Sequence, residues 1–158
     1  MSDSYYDTAQ ICVNGHVINS SAGDFPNINA AYCPKCGAAT LMNCPACKAP
    51  IRGHYTVPGV LSILHFTSPA YCHSCGQPYP WTSVALAAAR ELADTLDDLT
   101  EDERVELKES IGHLIRETPR TPVAETKFRS LMRKAGKEAY GGMKSILIDV
   151  VSEAEDSH

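Results

Sequence analysis

The sequence predicts an α+β protein: two consecutive zinc ribbons made of short β-hairpins, followed by a bundle or layer of about four α-helices. Three observations predict it. The seven cysteines fall in three CxxC pairs and one CxxxH pair, all before residue 76. The stretches between these pairs have turn and extended composition without helical period. From residue 82 onward there is no cysteine, and apolar residues recur at helical spacing. The expected division is a double zinc-ribbon domain over 1–81 and a helical domain over 82–158 packed on it.

The paired residues read Cys12-Val-Asn-Gly-His16, Cys33-Pro-Lys-Cys36, Cys44-Pro-Ala-Cys47 and Cys72-His-Ser-Cys75. A tight turn of this kind puts two side chains on one side, and two facing turns close a tetrahedral shell of four ligands. Four turns therefore imply two Zn²⁺. Sequential pairing gives Cys12, His16, Cys33 and Cys36 to the first ion, and Cys44, Cys47, Cys72 and Cys75 to the second. Pro34 and Pro45 fix φ after the first cysteine of their turns. Gly37 and Gly76 follow the second cysteine, where the chain needs a positive φ. Asn14-Gly15 is a strong turn pair that would present His16. The alternative for His16 is a surface histidine in a hairpin loop, which would leave three cysteines and an exchangeable position. Disulfides explain the pattern less well: seven is odd, and the polar start Met-Ser-Asp-Ser has no secretory character. Shells filled by four protein ligands point to structural rather than catalytic zinc.

At 158 residues, with 44% hydrophobic and 21% charged residues, the chain has the composition of a folded globular protein. No run approaches the roughly 20 apolar residues of a membrane span. Reduced cysteines without an export signal suggest the cytoplasm. Residues 1–81 hold three acids and three bases, whereas 82–158 hold 16 acids and 11 bases, so the excess negative charge sits in the helical part.

In chain order, residues 1–10 read as a polar lead, and Ile11–Ile18 as the first hairpin. Residues 19–31 have turn composition and no period, hence a loop. Tyr32–Leu41 is the second turn with short strands. Only seven residues separate Cys36 from Cys44, so the two ribbons sit against each other. The 24 residues between Cys47 and Cys72 read as two short strands or extended segments around the Pro58-Gly59 turn. Val60, Leu61, Ile63, Leu64 and Phe66 within them either fill a gap in the core or form an exposed contact surface. Prolines keep Gln77–Trp81 from being helical, and Thr82-Ser83 starts a helix. Trp81 stands at the joint and is expected to pin the helices to the last zinc turn; the alternative is an exposed anchor for a partner.

The first helix is expected over about 83–99, with Ala85, Ala88, Leu92, Leu96 and Leu99 on one stripe. Thr100 with Glu103 is a capping box for the second, which turns Leu107, Ile111, Leu114 and Ile115 inward. Thr121-Pro122 starts the third, whose face carries Phe128, Leu131, Met132, Ala135 and Ala139. Gly141-Gly142 is expected to break it, and the fourth helix uses Met143, Ile146, Leu147, Val150 and Val151.

Lys127, Arg129, Arg133, Lys134 and Lys137 form the basic cluster of the third helix. It reads either as a phosphate or acidic-partner contact, or as a solvated face balanced by acids of the preceding helices. His54, His65 and His73 lie near or within the second zinc pair, but no spacing matches a zinc-hydrolase or nucleophile motif, and no glycine-rich phosphate loop is present. The expectation is a protein without enzymatic activity.

Ile11–Ile18, Tyr32–Gly37, Cys44–Cys47 with Ala49–Gly53, Tyr55-x-Val-Pro-Gly59, and Tyr71–Gly76 with Pro78–Trp81 together resemble a small bacterial family of unknown function. The resemblance covers about residues 5–90 and reaches the tail only in general character. It implies a short cytoplasmic bacterial protein with a double zinc-ribbon front and a helical tail, and it supports the ligand set above. It implies no activity. The functional expectation is an adaptor that binds another protein through Arg52, Tyr55 and Phe66. The alternative is a zinc ribbon associated with nucleic acid in transcription or the ribosome, using Lys127, Arg133 and Lys137.

Overall fold

The computed structural model describes residues 3–60 and 65–148. The chain divides into two compact units, one up to Thr82 and one from Ser83. The first is built of short antiparallel strands, the second of helices, which makes the protein α+β.

The first unit opens with strands β1 (Tyr5–Thr8), β2 (Gln10–Cys12) and β3 (Val17–Asn19), followed by β4 (Thr40–Leu41) and β5 (Arg52–Thr56). β2 is the centre of a three-stranded sheet in the order β3-β2-β4, with Ile11 opposite Val17 and Leu41. β1 pairs antiparallel with β5, setting Tyr6 opposite Tyr55 and Thr8 opposite Arg52 across an irregularity in register. The lead expected over 1–10 is thus largely strand. Its partner residues lie 44 to 51 positions away, which local pattern cannot reveal. Among its described residues the Cys47–Cys72 excursion contributes one strand, β5, and otherwise runs without helix; Pro58-Gly59 does turn, with Gly59 at φ 79° and the Val60 N–H bonded to the Val57 carbonyl. Val60 is exposed and Phe66 half-buried, while Leu61, Ile63 and Leu64 lie outside the described residues.

Among the described residues of this unit, Ala9, Ile11, Ala22, Ile51, Tyr79 and Trp81 are the buried non-cysteine hydrophobics. Buried polar side chains supply much of the remaining order by hydrogen-bonding backbone that has no ladder partner. Asp7 accepts from the N–H groups of Thr8 (2.7 Å), Gly23 (2.8 Å) and Asp24 (3.1 Å). Asn19 donates to the Phe25 carbonyl (2.8 Å) and accepts from the Ser21 N–H (2.9 Å). Gln10 donates to Thr40 Oγ1 and accepts from the Ala30 N–H. The 19–31 segment is the expected loop, with one 3₁₀ turn at Pro26–Ile28. Gly53 is obligatory by packing: a Cβ there would drive into the Ser20 carbonyl and stand 2.9 Å from the Ala9 nitrogen.

Four helices follow: α1 (Pro80–Asp94), α2 (Glu101–Ile115), α3 (Thr121–Ala135) and α4 (Lys137–Leu147). α1 starts three residues before the expected point. Pro80 occupies its first position, where a missing N–H costs nothing, so the proline initiates the helix. It also stops before Leu96 and Leu99, which are buried in the turns that follow. α2 is capped as expected. The Thr100 hydroxyl accepts from the Glu103 N–H (3.2 Å) and the Glu103 carboxylate from the Thr100 N–H (2.8 Å), while Leu107, Ile111, Leu114 and Ile115 are buried. The break after α3 is at Gly136, not at Gly141-Gly142. Gly136 takes φ 107°, a conformation that suits glycine, and its N–H caps the Met132 carbonyl. Gly141 and Gly142 continue inside α4, Gly142 because its bare face lies against Leu92. Ala139 therefore belongs to α4. Met143 and Leu147 are buried there, Ile146 is half-buried, and Val150 and Val151 lie outside the described residues. α3 contacts both α2 and α4.

Candidate metal centres

Three of the four cysteine turns are one structure repeated. In each, the residue before the first cysteine bridges the residue seven positions on: Tyr32 to Ala39, Asn43 to Pro50, Tyr71 to Pro78. The first cysteine's N–H bonds the carbonyl five residues later, at Ala38, Ala49 and Gln77 (2.8–2.9 Å). Its carbonyl accepts from the N–H four residues later, at Gly37, Lys48 and Gly76 (2.8–2.9 Å). That fourth residue needs a left-handed backbone, with φ of 74°, 70° and 76°. Glycine takes it freely at two turns; Lys48 takes it as the single non-glycine with positive φ among the described residues. The first turn differs: Cys12 N–H bonds the His16 carbonyl, and Gly15 turns the chain at φ 96°.

These turns bring the ligand-type atoms into two groups, Cys12/His16/Cys33/Cys36 and Cys44/Cys47/Cys72/Cys75, each with all its atoms within 4.8 Å of one another. In the first, His16 Nδ1 lies 3.4 Å from Cys12 Sγ and 3.5 Å from Cys33 Sγ, and the Cys12 and Cys36 sulfurs are 3.8 Å apart. In the second, Cys44 to Cys75 and Cys47 to Cys72 are both 3.7 Å. Tetrahedral bonds of about 2.3 Å to sulfur and 2.0–2.1 Å to nitrogen require about 3.8 Å between sulfurs and about 3.5 Å between sulfur and nitrogen. The spacings fit that shell, and each group could hold a metal ion. Nearest sulfurs at 3.7–3.8 Å are far too distant for disulfides, and all seven cysteines are free.

The surroundings of Cys12, Cys36, Cys72 and Cys75 shift their acidity. The Asn14 side-chain amide donates to Cys36 Sγ at 3.3 Å and, with the Ala38 N–H, holds that thiol down to about 6. The N–H groups of Cys75 and Ser74 lower Cys72 to about 6 as well. Burial raises Cys12. The Gln77 N–H pulls Cys75 down, but desolvation and the three neighbouring sulfurs outweigh it and push the thiol up to about 11. Sulfurs this close compete for negative charge, and a divalent cation among them would favour the thiolate at every one.

One cysteine opening each turn is buried (Cys12, Cys33, Cys44, Cys72), while Cys36, Cys47 and Cys75 face outward. Among the described residues no other cluster of histidine, cysteine or carboxylate meets the same spacing. His54 is half-buried, and His65 and His73 are exposed.

A family described as "Uncharacterized protein conserved in bacteria (DUF2321)" matches residues 5–157. The chain belongs to that family. The match runs through the helical unit as well as the cysteine turns, further than the resemblance noted in the sequence. No curated protein and no solved structure matches the chain. No helix among the described residues is long and apolar enough to cross a membrane.

The other residues singled out in the sequence fall in different places. Arg52 is exposed and its guanidinium lies 4.4 Å over the Tyr6 ring, whose centroid is 4.7 Å from that of Tyr55. Tyr6 escaped sequence reasoning, since the β1–β5 pairing that sets it beside Tyr55 is non-local. Phe66 is half-buried. On α3, Lys127 pairs with Glu106 at 3.5 Å and Lys134 with Glu103 at 2.8 Å, whereas Arg133 and Lys137 are exposed. Trp81 is 2% exposed, which rules out the exposed-anchor alternative. Its indole N–H donates to the Pro69 carbonyl at 2.9 Å, its ring stacks on Tyr79, and its Cβ lies against Gly15 of the first turn.

Proposed function

We propose that the protein is a zinc-stabilised, non-enzymatic adaptor that binds another protein in the bacterial cytoplasm. Each four-ligand group would hold one structural Zn²⁺, Cys12, Cys33 and Cys36 with His16 Nδ1 at the first and four thiolates at the second. Zinc suits these donors because it takes thiolate and imidazole in tetrahedral shells without geometric preference of its own. A shell filled by four side chains has no position for substrate or water, which argues against catalysis at either ion.

The observation that carries the binding role is the exposed ladder on the β1–β5 ribbon. Arg52, Tyr6 and Tyr55 stand side by side in fixed contact, with Tyr6 51% and Tyr55 48% exposed. Tyrosine and arginine are the side chains most often found at the energetic centre of protein interfaces. A ribbon pinned by metal turns would present them with little ordering left to lose on association.

Affinity capture of the tagged protein tests the role. A specific protein should co-purify, its retention should change little with salt, and Arg52→Ala with Tyr55→Ala should weaken it without loss of zinc. Capture of RNA or DNA, with affinity falling steeply as salt rises and controlled by Arg133 and Lys137, would favour the nucleic-acid alternative instead. The pairing of Lys127 and Lys134 with α2 carboxylates supports the adaptor reading over that one.

A further inference from the structure

The two cysteine groups are joined by a buried path. Gly15, which turns the chain between Cys12 and His16, has no side chain because Trp81 occupies that space: a Cβ would sit 3.1 Å from Trp81 Cβ and 3.4 Å from its Cγ. The Gly15 carbonyl accepts from the Ser68 hydroxyl at 2.9 Å, a bond between residues 53 positions apart in which both groups are buried. Trp81 in turn stacks on Tyr79, with ring centroids 4.7 Å apart and planes at 20°, and Tyr79 is 1% exposed. The Tyr79 N–H bonds the Ala70 carbonyl at 3.1 Å, and Tyr71 bridges Pro78 across the turn that carries Cys72 of the second group. Ser68, Pro69 and Ala70 lead straight into that same turn, and the Trp81 indole and Thr82 hydroxyl tie down the Pro69 and Ala70 carbonyls at 2.9 and 2.8 Å.

We infer that the two metal sites are coupled through Gly15, Ser68, Trp81 and Tyr79, so that filling the Cys44/Cys47/Cys72/Cys75 site tightens the Cys12/His16/Cys33/Cys36 site, and the reverse. This rests on the zinc reading above. The physical reason is that one rigid joint is shared. Holding Cys72 by a metal fixes the 68–72 segment and Tyr79; these fix Trp81; Trp81 and Ser68 together hold the Gly15 turn, which with the Cys12 N–H bond to the His16 carbonyl sets the separation of Cys12 from His16. Ordering the joint once serves both ions, so the second ion binds a site already arranged. Reciprocity follows because the coupling is a free energy.

The test is a Co²⁺ titration of the full reduced chain after chelator treatment. The visible bands of cobalt differ between three-thiolate and four-thiolate shells, so each site is read separately, and Trp81 emission reports the joint. The expected result is that Cys44→Ser, which disables the second site, weakens cobalt at the first by about 5-fold or more. Two further variants keep every ligand: Tyr79→Leu, which breaks the stack beside the second site, and Ser68→Ala, which removes the donor to Gly15. Each is expected to weaken the first site measurably while two ions still bind. First-site affinity unchanged in Tyr79→Leu and Ser68→Ala, with two ions bound, overturns the coupling alone. Failure of the unaltered chain to take up two ions overturns the zinc reading and the coupling with it.

Discussion

Lys48 shows how single residues serve the metal turns. It stands where Gly37 and Gly76 stand in the sister turns, and it pays for that place with a left-handed backbone. The penalty for a residue with a Cβ is about 1–2 kcal/mol. Lys48→Gly should therefore stabilise the metal-loaded protein, by about 1 kcal/mol after the added entropy of glycine in the unfolded chain is counted. Denaturant unfolding at fixed metal should show the midpoint rise. Asn14 is a second case. Its amide, the largest influence on Cys36, holds that thiol down to about 6. A folded-state value below the ordinary thiol range contributes stability that is present above that range and lost as pH falls through about 6. A bound cation favours the thiolate further, so acid releases metal from the first site only at lower pH, and Asn14→Ala should move that release to higher pH, read as metal captured by a coloured chelator along a pH series. Residues of this kind were half legible. The three CxxC turns announce themselves by spacing, and laying them over one another would have marked Lys48 as the odd member. Asn14 reads only as a turn former until the fold brings Cys36, 22 residues away, to its amide.

At the scale of elements, the helices were legible where their signals are local and were misplaced where packing decides. The capping box and the Thr121-Pro122 start are local, and both ends stand where the sequence puts them. Gly136 and the Gly141-Gly142 pair are three candidate breaks whose ranking depends on which backbone must reverse and which face must lie bare. Exposed Gly141 has nothing within 4 Å of its added Cβ, so Gly141→Ala should raise thermal stability by about 0.5–1 kcal/mol, whereas Gly136→Ala should lower it, since φ 107° is closed to alanine. Glu103 adds a pH dependence to α2. Lys134 is the main reason its carboxyl lies below the usual range, followed by the Thr100 N–H. The contribution is present above the ordinary carboxylate pKa and disappears as pH falls through the depressed value. Lys134→Met should make acid unfolding of the helices begin at higher pH, as followed by far-UV circular dichroism. The strand β1 was missed for the opposite reason: its partner is distant, and a four-residue strand leaves almost no period to read.

For the whole molecule, the two units are held by different physics. From Ser83 onward, buried leucine, isoleucine, methionine and alanine side chains fill a helical core, including Leu107, Ile111, Leu114, Met132 and Met143. Among the described residues up to Thr82 the buried apolar material is slight, and four of the eight ligand-type side chains, Cys12, Cys33, Cys44 and Cys72, are buried with it. On the zinc reading, metal binding there would be folding free energy. A strong chelator, which empties both sites, should unfold the first unit while the far-UV helix signal persists. The fold class and the composition of both ligand groups could be written from cysteine spacing because ligand chemistry is local. The aromatic ladder at Tyr6 and Tyr55, and the Trp81 joint, depend on long-range pairing and could not. The central claim is that the first unit is built around two structural zinc ions, and elemental analysis of protein purified without chelator tests it most directly. The account predicts about two zinc per chain and no iron; one zinc or fewer per chain, or iron in its place, would contradict it.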